Sequence, residues 1–302
     1  MERLNVLKTQ LQQFKSNKYV QGSKQFLETN SIIAKFAFLI LILIVFILLI
    51  GLGSAILAVV FGQKHNPILI DGMIDATQML IIPQDPSQKG AIPIFRSNNQ
   101  REGMEFTWSV WLLINGTLYN NNKSSYMHVF HKGNNDINTT GSGGGARGTN
   151  FPLNGPGLYI TPPINDDKKG NVAGLKIIMN TFNSIDQDIV IPGIPLNKWV
   201  NVIIRVTKQG QLDVYISGSL VKRLMLDSVP RQNYGDVCVS LNGGFPGNTS
   251  SLRYFEKAIG TNQIQTIVDE GPNQKLVSSG SMDTGGTNKY LSSRWYLQTA
   301  TE

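Results

Sequence analysis

The chain contains 302 residues, of which 27 are lysine or arginine and 20 are aspartate or glutamate, for a formal net charge of +7. Most of the excess of basic over acidic residues lies before residue 65. The 20 basic and 18 acidic residues that follow nearly cancel, which argues against a basic nucleic-acid-binding domain. Cys238 is the only cysteine, so an intramolecular disulfide is excluded, and maturation in a reducing compartment is favoured over an ordinary cell-surface ectodomain.

Residues 1–35 are predicted to form a basic N-terminal arm. Leu4, Leu7, Leu11 and Phe14 recur at helical spacing, so the arm has one apolar stripe opposite lysines and glutamines. One interpretation is a short helix that lies on lipid headgroups or packs on a neighbour, since anionic lipid attracts each base by about 1 kcal/mol. The alternative is an arm that contacts nucleic acid non-specifically.

The segment that follows, Phe36 to Phe61, carries no charged residue. As a helix it would extend about 39 Å, enough to cross a hydrocarbon core of about 30 Å. We therefore predict a transmembrane helix over residues 36–62, with the lipid bilayer as its partner. Gly51 and Ala55, four residues apart, form its predicted helix-packing face. Lysines and arginines dominate before this helix and aspartates follow it, so the positive-inside rule places the arm on the cytoplasmic side and the C-terminal region across the bilayer.

After this helix the hydrophobic period becomes that of β-strands. Residues 63–90 are predicted to hold a linker and the first strands, and later segments rich in Val, Ile, Tyr and Trp are separated by Gly, Asn, Pro and Asp. The later predicted strands are AIPIF, EFTWSVWLLI, YMHVFHK, GLYITP, LKIIMNTF, DIVIPGI, WVNVIIRVT, QLDVYISG, LVKRLML and DVCVSL. Helical periods are short, around Tyr254–Ile259 and Asn262–Val268. Many short strands without crossover helices predict an all-β, antiparallel sandwich.

Two consecutive segments show the alternation most clearly. WVNVIIRV places four aliphatic residues on one face, and QLDVYIS places three on one face. The predicted core residues are Val200, Val202, Ile204, Val206, Leu212, Val214 and Ile216. A turn at Gln209-Gly210 joins the two segments into a predicted hairpin. Trp199 falls on the opposite face, and the pattern leaves open whether it seals the core or packs at the sandwich edge.

The segment PLNKWVNVIIRVTKQGQLDVYISGSLVKRLML resembles the laminin G-like, concanavalin A-like jelly roll, in which a Trp-led strand and a turn precede a strand ending in "YvdG". The resemblance extends upstream to GMEFTWSVWLLI and HVFHKG, and downstream to VSLNGGFPGNTSSLRYFEKAIGTNQIQTIVDEGP. It implies a concanavalin A-like jelly roll over residues 91–275, followed by a C-terminal tail over residues 276–302.

The resemblance also suggests where ligands would bind and where metals would not. Members that bind calcium use carboxylates at the sandwich rim, and this chain has Ser217-Gly218 and Ser250-Ser251 where aspartates often stand, so no metal site is predicted. Four positions lie near the rim where the family binds ligands. The candidate ligand rim is Asn180, Asn183, Asn242 and Phe245. Candidate N-glycosylation sites are Asn115, Asn122, Asn138 and Asn248.

No arrangement typical of catalysis occurs in the sequence. Glucanases of the concanavalin-like fold carry a strand of clustered carboxylates, and the nearest acidic pairs here are Glu102/Glu105, Asp186/Asp188 and Asp269/Glu270. A G-x-G-x-x-G match at 143–148 lacks the strand before it and the helix after it. His128 and His131 are three residues apart on a strand, so we expect them on opposite faces, without a shared metal. We predict no catalytic residues, no cofactor and no enzyme.

Two functions follow from the layout. A basic N-terminal anchor joined to this domain, with almost no cysteine, resembles the membrane-linked minor capsid proteins of large icosahedral DNA viruses. That resemblance implies a structural protein that tethers an internal virion membrane to the capsid, with the C-terminal domain facing the capsid proteins. The alternative is a membrane-anchored lectin that binds a glycan, in a cell membrane with the C-terminal domain outside.

Overall fold

The structure, a computed structural model, separates into two units, Met1–Gly62 and Gln63–Glu302. It describes residues 32–61, 66–95, 104–120, 125–141, 145–166 and 170–277. Most of the predicted basic arm and of the C-terminal tail lies outside these residues, as does Asn122.

The first unit contains one helix, α1, over Ile32–Phe61. The stretch Lys35–Leu57 is long and apolar enough to cross a membrane, and it has no buried residue. Large apolar side chains are exposed all around it, a surface that water does not tolerate on an isolated helix. A Cβ added at Gly51 would meet no atom within 4 Å, and Ala55 is exposed, so the predicted packing face is unoccupied within the described chain and stays a prediction.

The second unit is an antiparallel β-sandwich. Its strands are β1 (Met73–Asp75), β2 (Leu80–Ile82), β3 (Phe106–Ile114), β4 (Met127–Gly133), β5 (Gly157–Ile160), β6 (Ile164–Asp166), β7 (Gly170–Met179), β8 (Gln187–Ile194), β9 (Trp199–Val206), β10 (Gln211–Ile216), β11 (Ser219–Met225), β12 (Asp236–Val239) and β13 (Gly247–Phe255). The helical elements are α2 (Gly116–Tyr119), a 3-10 turn (Leu241–Gly243) and α3 (Thr261–Glu270). The predicted all-β sandwich after an apolar helix is confirmed.

Two sheets form the sandwich. The first has the order β1-β13-β3-β9-β10-β11. The second has the order β2-β12-β4-β5-β7-β6, and β8 also pairs with β7. The inner faces meet in one core, where the Trp108 ring lies 5.2 Å from the Phe130 ring and 5.1 Å from the Tyr254 ring. Every pair of named strands is antiparallel, as short strands without crossover helices predict.

The hairpin of β9 and β10 forms as the sequence predicts. Its register pairs Val206 with Leu212 and Ile204 with Val214, and the turn places Gly210 at φ +73°, a conformation that favours glycine. The predicted inward residues lie in the core or, for Ile216, partly buried against it. Trp199 is only half-buried, which favours packing at the edge of the sandwich over sealing the core.

Two local predictions are wrong. Residues 91–95 form no strand, because Pro93 has no N–H to donate and the segment instead packs along the chain after β2. Residues 254–259 form no helix, since β13 continues to Phe255 and a bend follows. The predicted helix at 262–268 is confirmed as α3. It packs on the outer face of the first sheet through a second cluster made of Ile203, Tyr215, Phe255, Ile259, Ile264 and Ile267.

Candidate functional site

The structure separates the four predicted rim residues. Phe245 is fully buried in the core, and Asn180 is 3% exposed, so neither belongs to a ligand rim. The Asn180 amide donates to the carbonyls of Pro152 (2.7 Å) and Ile185, and its oxygen accepts from the Asn154 N–H. These bonds hold loops together, and the prediction for both residues was wrong because burial in loops leaves no trace in their local sequence.

Asn183 and Asn242 are exposed, but they border different surfaces. The Asn183 amide reaches the Asp227 carbonyl at 3.5 Å. Asn242 stands in the 3-10 turn beside a polar cavity of about 270 Å3 that also contacts Tyr126 and Gly148. The predicted rim is therefore not one site.

The described sequon asparagines all take part in hydrogen bonds. The Asn115 oxygen caps α2, and the Asn138 amide donates to the Gly145 carbonyl at 2.6 Å. The Asn248 amide reaches the Ile74 carbonyl at 3.4 Å. Glycosylation at these positions stays a prediction.

The main cavity of interest lies between the two sheets and has a volume of about 310 Å3. We call it the inter-sheet pocket. Both sheets and the chain segments at one end of the sandwich contribute to it. Its lining residues are Gln84, Asp85, Ile94, Phe95, Phe106, Trp108, Lys132, Gly155, Arg231, Gln232, Asn233, Tyr234 and Tyr254.

Aromatic side chains from the first sheet form the inner wall of the pocket. Trp108 on β3 and Tyr254 on β13 are almost fully buried, and the Tyr254 hydroxyl donates to the Phe95 carbonyl at 3.0 Å. Gln84 fixes the facing segment, since its amide donates to the Ile92 carbonyl (2.9 Å) and its oxygen accepts from the Ile94 N–H (2.9 Å). The apolar part of the pocket is therefore preformed.

The opening of the pocket is polar and carries two cations. Lys132 donates from Nζ to the Gly235 carbonyl at 2.6 Å, and the Arg231 guanidinium lies over the Phe182 ring at 5.6 Å. Burial lowers the pKa of Lys132 to about 8, and the negative charge of Asp236 offsets part of this effect.

A β-bulge in β4 turns Lys132 toward the pocket. His128 pairs with Tyr159 and Phe130 pairs with Leu158, so Val129 is the extra residue. Val129 and Phe130 both enter the core, and every later side chain of the strand changes face as a result. Strict alternation would point Lys132 outward, so its position at the pocket does not follow from the local sequence pattern.

The same bulge corrects the prediction for the two histidines. His128 and His131 share the outer face, and Nε2 of His128 lies 2.7 Å from Nδ1 of His131. The Leu241 N–H donates to Nδ1 of His128 at 2.9 Å, which leaves the proton on Nε2 to donate to His131. Nε2 of His131 in turn meets the Asn134 carbonyl at 2.6 Å. All four ring nitrogens are used with both rings neutral.

Burial determines the charge state of this pair. It lowers the pKa of His131 to about 4, although the Asn134 carbonyl partly offsets the effect. It lowers the pKa of His128 well below the ordinary value, and a charge on His131 would lower it further. The pair is a structural network of neutral rings. Among the described residues, no group of three or more His, Cys, Asp or Glu is placed to hold a metal ion.

Comparison with known proteins identifies no family. No family model and no curated protein matches the chain. Among solved structures, the botulinum neurotoxin serotype D ligand-binding domain in complex with N-acetylneuraminic acid matches with 13% identity and a TM-score of 0.42, over 65% of this chain and 41% of that one. The receptor-binding domain of the C/D mosaic serotype matches with 12% identity and a TM-score of 0.41, over 56% and 37%. The chain spans less than half of either protein, and similarity at this level assigns neither a family nor a ligand.

Proposed function

We propose that the protein is a membrane-anchored, non-enzymatic recognition protein, in which α1 crosses a bilayer and the sandwich binds a carbohydrate in the inter-sheet pocket. The observation that carries this proposal is the pocket itself, which combines a preformed aromatic wall with charged and amide side chains at its opening. Ligand sites of proteins are typically concave, mostly apolar and furnished with a few polar groups that set orientation.

A sugar ring matches this combination of surfaces. Its C–H faces pack on aromatic rings, and its hydroxyls exchange hydrogen bonds with charged and amide groups. Tyr234 lines the pocket and is 79% exposed, so we propose that its ring contributes to stacking. Lys132 and Arg231 supply donors, and Asp85 supplies acceptors.

The acidic residues support a binding role over hydrolysis. Retaining glycosidases need two carboxyl groups about 5 Å apart. Asp85 is the only carboxylate among the described residues that line the pocket, and its Oδ1 already accepts from the Ser87 N–H at 2.9 Å and the Ser87 hydroxyl at 2.8 Å.

A glycan array with the full chain in lipid nanodiscs tests the proposal. We expect binding by the wild type, and loss of that binding in Tyr234→Ala because the exposed ring leaves the opening. Leu220→Ala is the matched control, since Leu220 is an exposed apolar residue on β11, away from the pocket. Silence of the folded wild type across acidic and neutral glycans would overturn the proposal.

A second candidate function, a tether between a membrane and a protein layer such as a capsid, has one observation in its favour. Strand β11 ends the first sheet, and six of its seven residues are exposed, including Leu220, Val221 and Met225. Such an edge can accept a strand from another protein. Retention in purified particles that Val221→Pro abolishes, together with a silent glycan array, would favour the tether.

Both functions need the arm and the sandwich on opposite sides of one bilayer. Among the described residues, α1 is the one helix that could span it. Protease added to sealed proteoliposomes of one orientation should therefore digest one part and spare the other. Digestion of both parts, or protection of both, would contradict a single span. We propose in addition that the basic arm contacts anionic lipid or nucleic acid.

A further inference from the structure

Lys132 carries a charge that the described protein leaves poorly compensated. Its side chain is partly buried at the pocket, and its ammonium group makes one hydrogen bond, to the Gly235 carbonyl. No carboxylate oxygen in the described part of the chain lies within ion-pair distance of Nζ. The nearby Asp236 accepts from the Gln84 N–H at 2.9 Å and acts on Lys132 only through its charge.

Other partly buried bases in the sandwich are arranged differently. Lys176 meets Asp188 at 2.7 Å, Arg205 meets Asp213 at 2.6 Å, and Arg253 meets Glu270 at 2.8 Å. Proteins usually pair a charge that they remove from water, because the desolvation cost is otherwise uncompensated. Lys132 differs from these bases, and it lines a pocket in which a ligand could supply the missing partner.

The surroundings of Lys132 add to its preference for an anion. Arg231 brings a second cation to the opening, and no ion pair joins it to a described carboxylate. Asp85 contributes the one negative charge among the described lining residues, and its Oδ1 is held by Ser87. Two cations and one carboxylate therefore line the same mostly apolar pocket, where charge-assisted hydrogen bonds are stronger than in water.

We propose that the inter-sheet pocket selects sugars that carry a carboxylate, and that the Lys132 ammonium group is the partner of that carboxylate. This inference rests on the proposed carbohydrate function and specifies its ligand class. A volume of about 310 Å3 is at the small end for ligand sites, so the pocket takes one terminal acidic residue of a glycan. The carboxylate occupies the donor positions of Lys132 that Gly235 does not use, while the ring lies along the aromatic wall.

Two matched pairs of probes test the inference with the full chain in nanodiscs. They are N-acetylneuraminic acid with its methyl ester, and methyl glucuronide with its methyl ester. Each ester keeps the ring and removes the charge. We expect each acid to bind at least about tenfold more tightly than its ester in titration calorimetry, as one charge-assisted hydrogen bond provides.

Two variants assign that difference to Lys132. In Lys132→Met the acid should lose its advantage over the ester. In Lys222→Met, which removes an exposed lysine on β11, the advantage should remain. Mass spectrometry after labelling with an amine-reactive reagent at pH 8 gives a second measurement, since a bound carboxylate should protect Lys132 and leave Lys222 reactive.

The remaining outcomes distinguish failure of the acidic-sugar inference from failure of the proposed carbohydrate binding. Equal affinity for acid and ester in the wild type overturns the acidic-sugar inference and leaves carbohydrate binding intact. Equal loss of acid and ester in Lys132→Met shows that Lys132 shapes the pocket, which also overturns the inference. Failure of every sugar to bind the folded wild type overturns the proposed function, and the inference falls with it.

Discussion

The sandwich removes two charged side chains from water, Asp213 and Lys132. The protein compensates the charge of Asp213 with oppositely charged partners, but it leaves that of Lys132 poorly compensated. Asp213 is fully buried and accepts from Arg205 at 2.6 Å, from Arg223 at 2.7 Å and from Gln211 at 3.1 Å. Burial acts to raise the pKa of Asp213, but these hydrogen bonds outweigh it and hold the pKa below its ordinary value. The Lys132 ammonium group, by contrast, donates to one carbonyl oxygen, and no carboxylate in the described part of the chain forms an ion pair with it.

The strand register explains why Asp213 is compensated. Arg205 on β9 and Arg223 on β11 stand directly opposite Asp213 on β10, so the ion pairs join three neighbouring strands. Lys132 lies at the end of β4, opposite Val237, with no acid across the strand. A charge that is compensated by its own sheet stabilises the fold, whereas a charge left without a partner in a cavity is available to a ligand.

The largest effect is expected from Asp213→Asn. The substitution leaves Arg205 largely buried without its anion, and breaking such a pair costs about 3–5 kcal/mol in the free energy of unfolding. Urea unfolding followed by tryptophan fluorescence measures the change. Asp188→Asn is the control, since its pair with Lys176 is 38% exposed on the acidic side and should cost less than about 1 kcal/mol. Equal effects in the two variants would remove the distinction between the sites.

Acid should weaken the sandwich through the histidine pair. Folding lowers the pKa of His131 from 6.5 to about 4, so the unfolded chain binds a proton in this window and the folded chain does not. Stability is therefore full above pH 6.5 and falls as the pH drops toward 4, by about 3 kcal/mol from His131. Urea unfolding at pH 7 and pH 4.5 measures the loss. His131→Gln should lose less stability over the same interval, and an unchanged pH dependence would contradict this account.

Trp199→Ala should have a smaller effect than a core tryptophan. Trp199 is half-buried at the start of β9, so we expect a loss of about 1 kcal/mol, whereas Trp108→Ala should cost about 3–5 kcal/mol. A loss from Trp199→Ala as large as that from Trp108→Ala in urea unfolding would mean that the edge residue seals the core after all.

The smallest effect is expected from Lys132→Met. Removing an incompletely paired cation relieves a desolvation cost, while the Gly235 carbonyl loses one donor, so the free energy of unfolding should change by less than about 1 kcal/mol in either direction. The comparison with Asp213→Asn is the sharpest test available in this chain. A loss of several kcal/mol would show that Lys132 is a structural charge, like Asp213.

Local patterns predicted much of the fold and little of the site. The apolar helix and the alternating faces of β9 and β10 follow from side-chain periods that the structure preserves. The bulge at Val129 adds one residue to β4, and no sequence period reports such an insertion, so His128 and His131 were incorrectly expected on opposite faces and the inward position of Lys132 was not predicted. The inter-sheet pocket gathers residues from distant segments, and only the folded chain shows that they meet.

The first segment of the sandwich, which includes Leu69 and Met73, determines how the domain would resist a pulling force. The Leu69 N–H donates to the Leu252 carbonyl at 2.7 Å, which joins this segment to β13. On its other side, the Met73 N–H donates to the Lys275 carbonyl at 2.8 Å, and the Val277 N–H returns to the Met73 carbonyl at 2.9 Å. Tension transmitted along the chain from α1 therefore enters a segment that is hydrogen-bonded on both sides. Bonds to two neighbours must yield before the sandwich begins to unravel, which would suit the membrane-anchored domain that we propose.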